Sequence, residues 1–289
     1  SDLEMKVLVV GASSFIGFHL FKHLEKKYNC IGTYFTNKRS EKLIHLNILS
    51  KDELEKTFAK HKPDIILWIS GAKDVQICEQ DEKYAYSINT QPIIDYLNIL
   101  DKQQFIFIST NYVFDGVTGN YKDLDKPAPN TIYGKTNYLA EQILLKSNKN
   151  FNIIRSSAVL GKGGIFYDWL NVNLKSNSQI SLFDSYFTPT PIQLLIDGVD
   201  FMINTNKYKN IFHICGELKI TRYDLGKTIQ QLIHNNKSEI IKVNSTDSFL
   251  NRDFSLIQSK ICSSFQTLTF LEYIKSEVDP KSRTVFLMS

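Results

Sequence analysis

With 289 residues, 43% hydrophobic and 22% charged, the chain has the composition of a folded globular protein, long enough for one large domain or two modest ones sharing a core. Its 34 basic and 30 acidic residues are interspersed and leave a formal charge of +4, which argues against a nucleic-acid-binding arm. Four cysteines (Cys30, Cys78, Cys215, Cys262) show no CxxC and no metal-site spacing, and no apolar run approaches the roughly 18–20 residues that cross a bilayer, so no metal centre and no membrane partner are expected.

Ser1-Asp2-Leu3-Glu4 reads as a non-native lead before Met5, which runs into a strand without a signal peptide, so a cytoplasmic location is expected. Val7-Leu8-Val9-Val10 reads as a buried strand, and Phe15, Ile16, Leu20 and Leu24 then recur at helical spacing up to Lys26. Further strands are predicted at 30–34, 65–69 and 105–108, with helices at 51–61, 84–100 and 138–145 between them. Strand and helix alternating in this rhythm predict a Rossmann-type, doubly wound parallel sheet in an α/β fold. After a strand at 151–155 the pattern loosens into helices at 166–175 and 193–204, a strand at 211–214 and a helix from Tyr223 to His234 capped by Thr221; the last stretch reads as irregular. The expected division is a dinucleotide-binding domain over 1–155, with 193–215 returning to its sheet, and a smaller C-terminal α/β substrate domain over 156–192 and 216–289.

The first strand runs into Gly11-Ala12-Ser13-Ser14-Phe15-Ile16-Gly17 and a helix. A glycine at the strand end allows the tight turn, one in the helix allows close packing on the strand, and free amides at the helix start can cradle a pyrophosphate. Ser14 stands where a middle glycine is more usual. At the end of the second strand, Thr36, Lys38 and Arg39 precede any acidic residue, which favours NADP(H) over NAD(H) by offering hydroxyl and cationic groups to a 2′-phosphate. Asn47, closing the third strand, can read an adenine edge.

Ser109-Thr110-Asn111-Tyr112-Val113-Phe114-Asp115-Gly116, together with Tyr133-Gly134-Lys135-Thr136-Asn137-Tyr138-Leu139-Ala140-Glu141, gives the chain its most specific signature. With Cys78-Glu79, Asn89, Arg155, Thr188-Pro189-Thr190, His213 and Thr221–Asp224 it resembles the dTDP-4-dehydrorhamnose reductase family of extended short-chain dehydrogenases/reductases, in order and over nearly the whole chain. The resemblance implies NADPH-dependent reduction of the 4-keto group of a nucleotide-linked 6-deoxysugar, in surface polysaccharide synthesis. Thr110 would then hydrogen-bond the substrate carbonyl and Tyr133 would protonate its oxygen. Tyr112, Val113, Asp184, Thr188 and Pro189 would lie on the substrate side, and a homodimer is compatible with the family. The same demand arises from the chemistry itself, because hydride addition to a ketone creates an alkoxide that needs a proton donor and a hydrogen-bonding group.

One departure matters. The family carries a lysine four residues after the tyrosine, on the same helix face, whose charge favours the phenolate; this chain has Asn137. Asn137 could bond the cofactor ribose but brings no charge, so Tyr133 is expected to titrate nearer its reference value of about 10. The alternative to a reductase is a cofactor-binding regulatory or scaffold protein of the same fold, impaired in turnover.

Overall fold

The alternation predicted from the first half is present as a seven-stranded sheet in the computed structural model, which describes residues 4–233, 236–244 and 252–279. Its strands are β1 (Lys6–Val10), β2 (Asn29–Tyr34), β3 (Ile44–His45), β4 (Ile65–Trp68), β5 (Gln104–Thr110), β6 (Asn150–Ser156) and β7 (Asn210–His213), in the order β7-β6-β5-β4-β1-β2-β3. β1 pairs in parallel with both β2 and β4, and β4 with β5. The chain order turns outward in both directions from β1 and β4, and ligands bind open α/β sheets beside the carboxyl ends of strands at such a reversal. Every residue of β4 and β5 is buried, as a sheet covered on two faces requires.

The helices that cover this sheet are α1 (Phe15–Leu24), α2 (Lys51–His61), α3 (Val75–Gln80), α4 (Glu82–Asn89), α5 (Gln91–Leu97) and α6 (Ile132–Lys146). Leu54 of α2, Tyr96 of α5 and Leu144 of α6 join Leu8, Trp68 and Phe105 in one apolar cluster. The predicted helix over 84–100 is divided at Thr90. Pro92, in the first turn of α5, has no N–H to continue the ladder from α4 and is tolerated only near a helix start. Helix α6 begins at Ile132, six residues ahead of the predicted start, because Thr131 caps it by accepting from Gly134 N at 3.0 Å.

The chain falls into two units. The first comprises the described residues up to Phe114 with Lys126–Arg155 and Gly198–Phe212. The second comprises Asp115–Asp125, Ser156–Asp197 and the described residues from His213 onward. Helix α7 (Ile165–Lys175) lies within this second unit, whereas α8 (Ile192–Ile203) runs from it into the first. The second unit also holds α9 (Arg222–Leu232) and α10 (Phe270–Val278), with three short strand pairs that join 159–160 to 190–191, 186–187 to 220–221 and 180–183 to 240–243. Of the predicted helix ending at His234, that last residue lies outside the described residues. The stretch expected to be irregular contains α10, which a full capping box opens: Thr269 accepts from Glu272 N, and the Glu272 carboxylate accepts from Thr269 N.

Candidate active site

The glycine turn sits where β1 meets α1. Gly11 has φ +95°, and a Cβ there would come within 2.8 Å of Ser70 N, so no other residue fits without moving backbone. A Cβ on Gly17 would meet Gly11 O at 2.0 Å, which is how closely the helix rests on the strand end. Ser14 takes the middle position without strain, at φ −71° and ψ 164°, because it is the N-cap of α1. Its hydroxyl accepts from Gly17 N and donates to Gly11 O, both at 3.0 Å. The amides of Phe15 and Ile16 precede the first backbone bond of the helix, Phe18 N to Ser14 O, and so face outward at its positive end.

Beside this turn lies a cleft of about 230 Å³. Gly11, Ser13 and Ser14 form one wall, Tyr34 and Phe35 come from the end of β2, and Leu46, Ile48, Ile69 and Ile88 give an apolar lining. Ser70, Gly71 and Lys73, from the segment after β4, complete the lining, with Ser70 directly against Gly11. This volume suits an adenosine moiety with its phosphates at the helix start.

The residues expected to read a 2′-phosphate lie outside this cleft. Thr36, Lys38 and Arg39 are exposed; Lys38 pairs with Glu41 at 2.8 Å, and Arg39 lies 4.4 Å over the Phe18 ring. Asn47 also misses the lining, since its Oδ1 accepts from Leu49 N, and its apolar neighbours Leu46 and Ile48 face the cleft instead.

A second set of residues gathers at the carboxyl end of β5. Thr110 ends the strand, with its hydroxyl donating to Asn111 Oδ1 at 3.3 Å and accepting from Tyr112 N at 3.1 Å. Tyr133, on the first turn of α6, packs edge-on to Tyr112 with ring centroids 5.7 Å apart. This approach depends on Gly134, where a Cβ would meet Tyr112 O at 1.9 Å. Glu79 accepts from Ile132 N at 2.5 Å, putting a carboxylate at the positive end of α6. Val113 is fully buried and serves packing.

Desolvation pushes the Tyr133 hydroxyl up to about 12, above the expected value near 10, with the Thr110 hydroxyl acting in the opposite direction. The residue is partly exposed, while its hydroxyl is desolvated beside the Thr110 hydroxyl. Asn137 is 8% exposed and donates from Nδ2 to the Tyr133 carbonyl at 2.9 Å. The same carbonyl receives the Thr136 hydroxyl at 3.0 Å. Thr136 in turn accepts from Asn89 Nδ2, and Asn89 Oδ1 accepts from Ala72 N, linking the segment after β4 to the tyrosine helix.

Behind this lies a fully buried ion pair, Arg155 to Glu141 at 2.6 Å, with Glu141 also accepting from Ser109 Oγ at 2.7 Å. Glu141 stands two turns along α6 from Tyr133, and Ser109 directly precedes Thr110. Arg155, one of the residues carrying the family resemblance, thus braces β5, β6 and α6 from beneath.

The remaining candidates belong to the second unit. Asp184 pairs with Arg252 at 3.6 Å, and Thr188, 2% exposed, accepts from Leu256 N at 3.2 Å. Pro189 packs so closely that its carbonyl would stand 2.1 Å from a Cβ on Gly216. Among the described residues no helix is long and apolar enough to cross a membrane.

Sheet, glycine turn, cleft and the hydroxyl pair at β5 define a Rossmann-type dinucleotide-binding protein of the short-chain dehydrogenase/reductase kind. A family model described as "RmlD substrate binding domain" matches residues 5–251, and the chain belongs to that family. It is 28% identical over 238 residues, 78% of each chain, to the dTDP-4-dehydrorhamnose reductase of Aggregatibacter actinomycetemcomitans. To the spore coat polysaccharide biosynthesis protein SpsK of Bacillus subtilis it is 34% identical over 165 residues, spanning 55% of that relative's length. Among solved structures, the dTDP-4-dehydrorhamnose reductase of Bacillus anthracis in complex with NADP has the same fold, with a TM-score of 0.82, 23% identity, and 95% of this chain and 98% of that one covered.

Proposed function

We propose that this chain is an NADPH-dependent reductase acting on the 4-keto group of a nucleotide-linked 6-deoxysugar in polysaccharide biosynthesis. The observation that carries this reading is the pairing of Tyr133 with Thr110, with the tyrosine kept protonated beside the carboxyl end of β5. NADPH supplies the hydride when bound, and the residues present fit it. The glycines at 11 and 17 let the turn close tightly on Ser70 and on the strand end, and the Phe15 and Ile16 amides at the start of α1 point toward the position of a pyrophosphate.

Thr110 holds the substrate carbonyl by a hydrogen bond. As charge develops on that oxygen, Tyr133 Oη gives up its proton to it, which completes the alcohol and leaves a phenolate. Asn137 steadies the helix backbone at Tyr133 and offers its Oδ1 to a ribose hydroxyl without adding charge. Tyr112 borders the ketone, while Asp184, Thr188 and Pro189 shape the sugar side within their own unit. Thr36, Lys38 and Arg39, exposed outside the cleft, serve a 2′-phosphate. We place the activity in the cytoplasm, in a chain free to pair as a homodimer.

The test is NADPH oxidation with a panel of nucleotide-linked 4-keto-6-deoxysugars. Turnover that Tyr133→Phe abolishes is the expected result. No turnover in the native chain, restored by Asn137→Lys, would replace this reading with a regulatory one.

A further inference from the structure

Lys73 has no role in the chemistry described so far. It follows β4 by five residues and lines the same cleft as Gly11, Ser13 and Ser14. Among the described residues it pairs with no carboxylate, and the adjacent Asp74 is turned away to cap α3, accepting from Ile77 N at 3.0 Å. Much of the side chain is exposed by area, yet desolvation pulls the ammonium down to about 8. An unpaired ammonium in such a position costs free energy until an anion joins it.

Two features of the cleft say which anion. Its other lining residues are apolar or aromatic side chains with the hydroxyls of Ser13, Ser14, Thr33 and Ser70, so the lining suits an adenosine moiety and supplies no carboxylate to the ammonium. The glycine turn that lines the same cleft presents the outward amides at the start of α1, where a pyrophosphate belongs. The cations expected from the sequence to serve a 2′-phosphate, Lys38 and Arg39, lie outside the cleft.

We infer that Lys73 is a cofactor-binding residue that contacts the dinucleotide's pyrophosphate in the cleft it shares with the glycine turn. The inference rests on the cofactor reading above. Lys73 thereby gives the cofactor a cationic contact in a chain that has none at position 137. It does not act on the tyrosine, whose environment is set by Thr110, Tyr112 and Cys78.

The experiment is titration of the full chain with NADPH and with NADH, followed by quenching of protein fluorescence, for the native protein, Lys73→Met and Lys73→Arg. Lys73→Met should weaken both dinucleotides by the same factor, roughly tenfold or more, as loss of a charge-assisted contact predicts, while Lys73→Arg keeps most of the affinity. Unchanged binding in Lys73→Met, with the native chain binding normally, overturns this inference and leaves the cofactor reading intact. A loss confined to NADPH overturns it in favour of a 2′-phosphate contact. A native chain that binds neither dinucleotide removes both.

Discussion

Asn137 turns what is elsewhere a charge effect into a purely structural one. Its amide is bound to the Tyr133 carbonyl, so it stiffens the turn that carries the tyrosine and leaves the hydroxyl to desolvation. The proton-donating form of Tyr133 therefore persists as pH rises and is lost only as pH passes about 12. A lysine at this position would favour the phenolate and bring the titration down to roughly 9–11. In Asn137→Lys, tyrosinate absorbance should thus develop at lower pH than in the native chain, with Tyr133→Phe in either background removing that component. A titration indifferent to the substitution would mean that the side chain at 137 does not approach the hydroxyl.

Helix α6 gathers most of the constraints that place the tyrosine, and each is open to measurement. Gly134 admits Tyr112 O to the space a Cβ would occupy, so Gly134→Ala must push α6 off the turn after β5. It should lower turnover far more than it raises KM for NADPH, because the glycine turn lies on α1. Glu141 and Arg155 are buried together, and removing either alone strands a charge at a cost of about 3–5 kcal/mol. Arg155→Leu with Glu141→Leu should regain much of that loss in denaturant unfolding; losses that simply add would show that the two charges are not coupled. These elements also mark where the sequence was legible. The alternation of apolar strands with helical spacing was enough to find β1, β2, β4, β5 and β6, since a buried parallel strand is a nearly unbroken apolar run. The split between α4 and α5 was visible in Pro92, and α10 in the Thr269–Glu272 spacing, but neither signal shows as apolar periodicity. The tyrosine and threonine stand out in the sequence because their neighbours form a specific motif. Lys73 was not, because a lone lysine on a segment after a strand looks like any solvated one until the fold sets a cleft beside it.

For the molecule as a whole, the cofactor cleft should report itself in stability. A ligand that binds the folded chain and not the unfolded one adds about 2.7 kcal/mol at a concentration a hundred times its Kd. NADPH should therefore raise the melting temperature in steps that follow the logarithm of its concentration, and NADH should do so with an offset set by its weaker affinity. Equal curves for the two would count against a rim that recognises a 2′-phosphate. With 34 basic and 30 acidic residues interspersed, the chain's net charge gives no general attraction for anions, so such a shift reports the cleft itself.

Ser14 gives the glycine turn a property that a third glycine would not. By closing the start of α1 on its own hydroxyl, bonded to both Gly11 O and Gly17 N, it lets the turn hold its shape before any dinucleotide arrives. Binding then draws little on ordering the loop, and association should be limited by encounter and not by rearrangement. Amide hydrogen exchange offers a direct view: the Gly17 amide should be protected in the free chain almost as well as in the cofactor-bound one, and protection gained on binding should fall on Phe15 and Ile16.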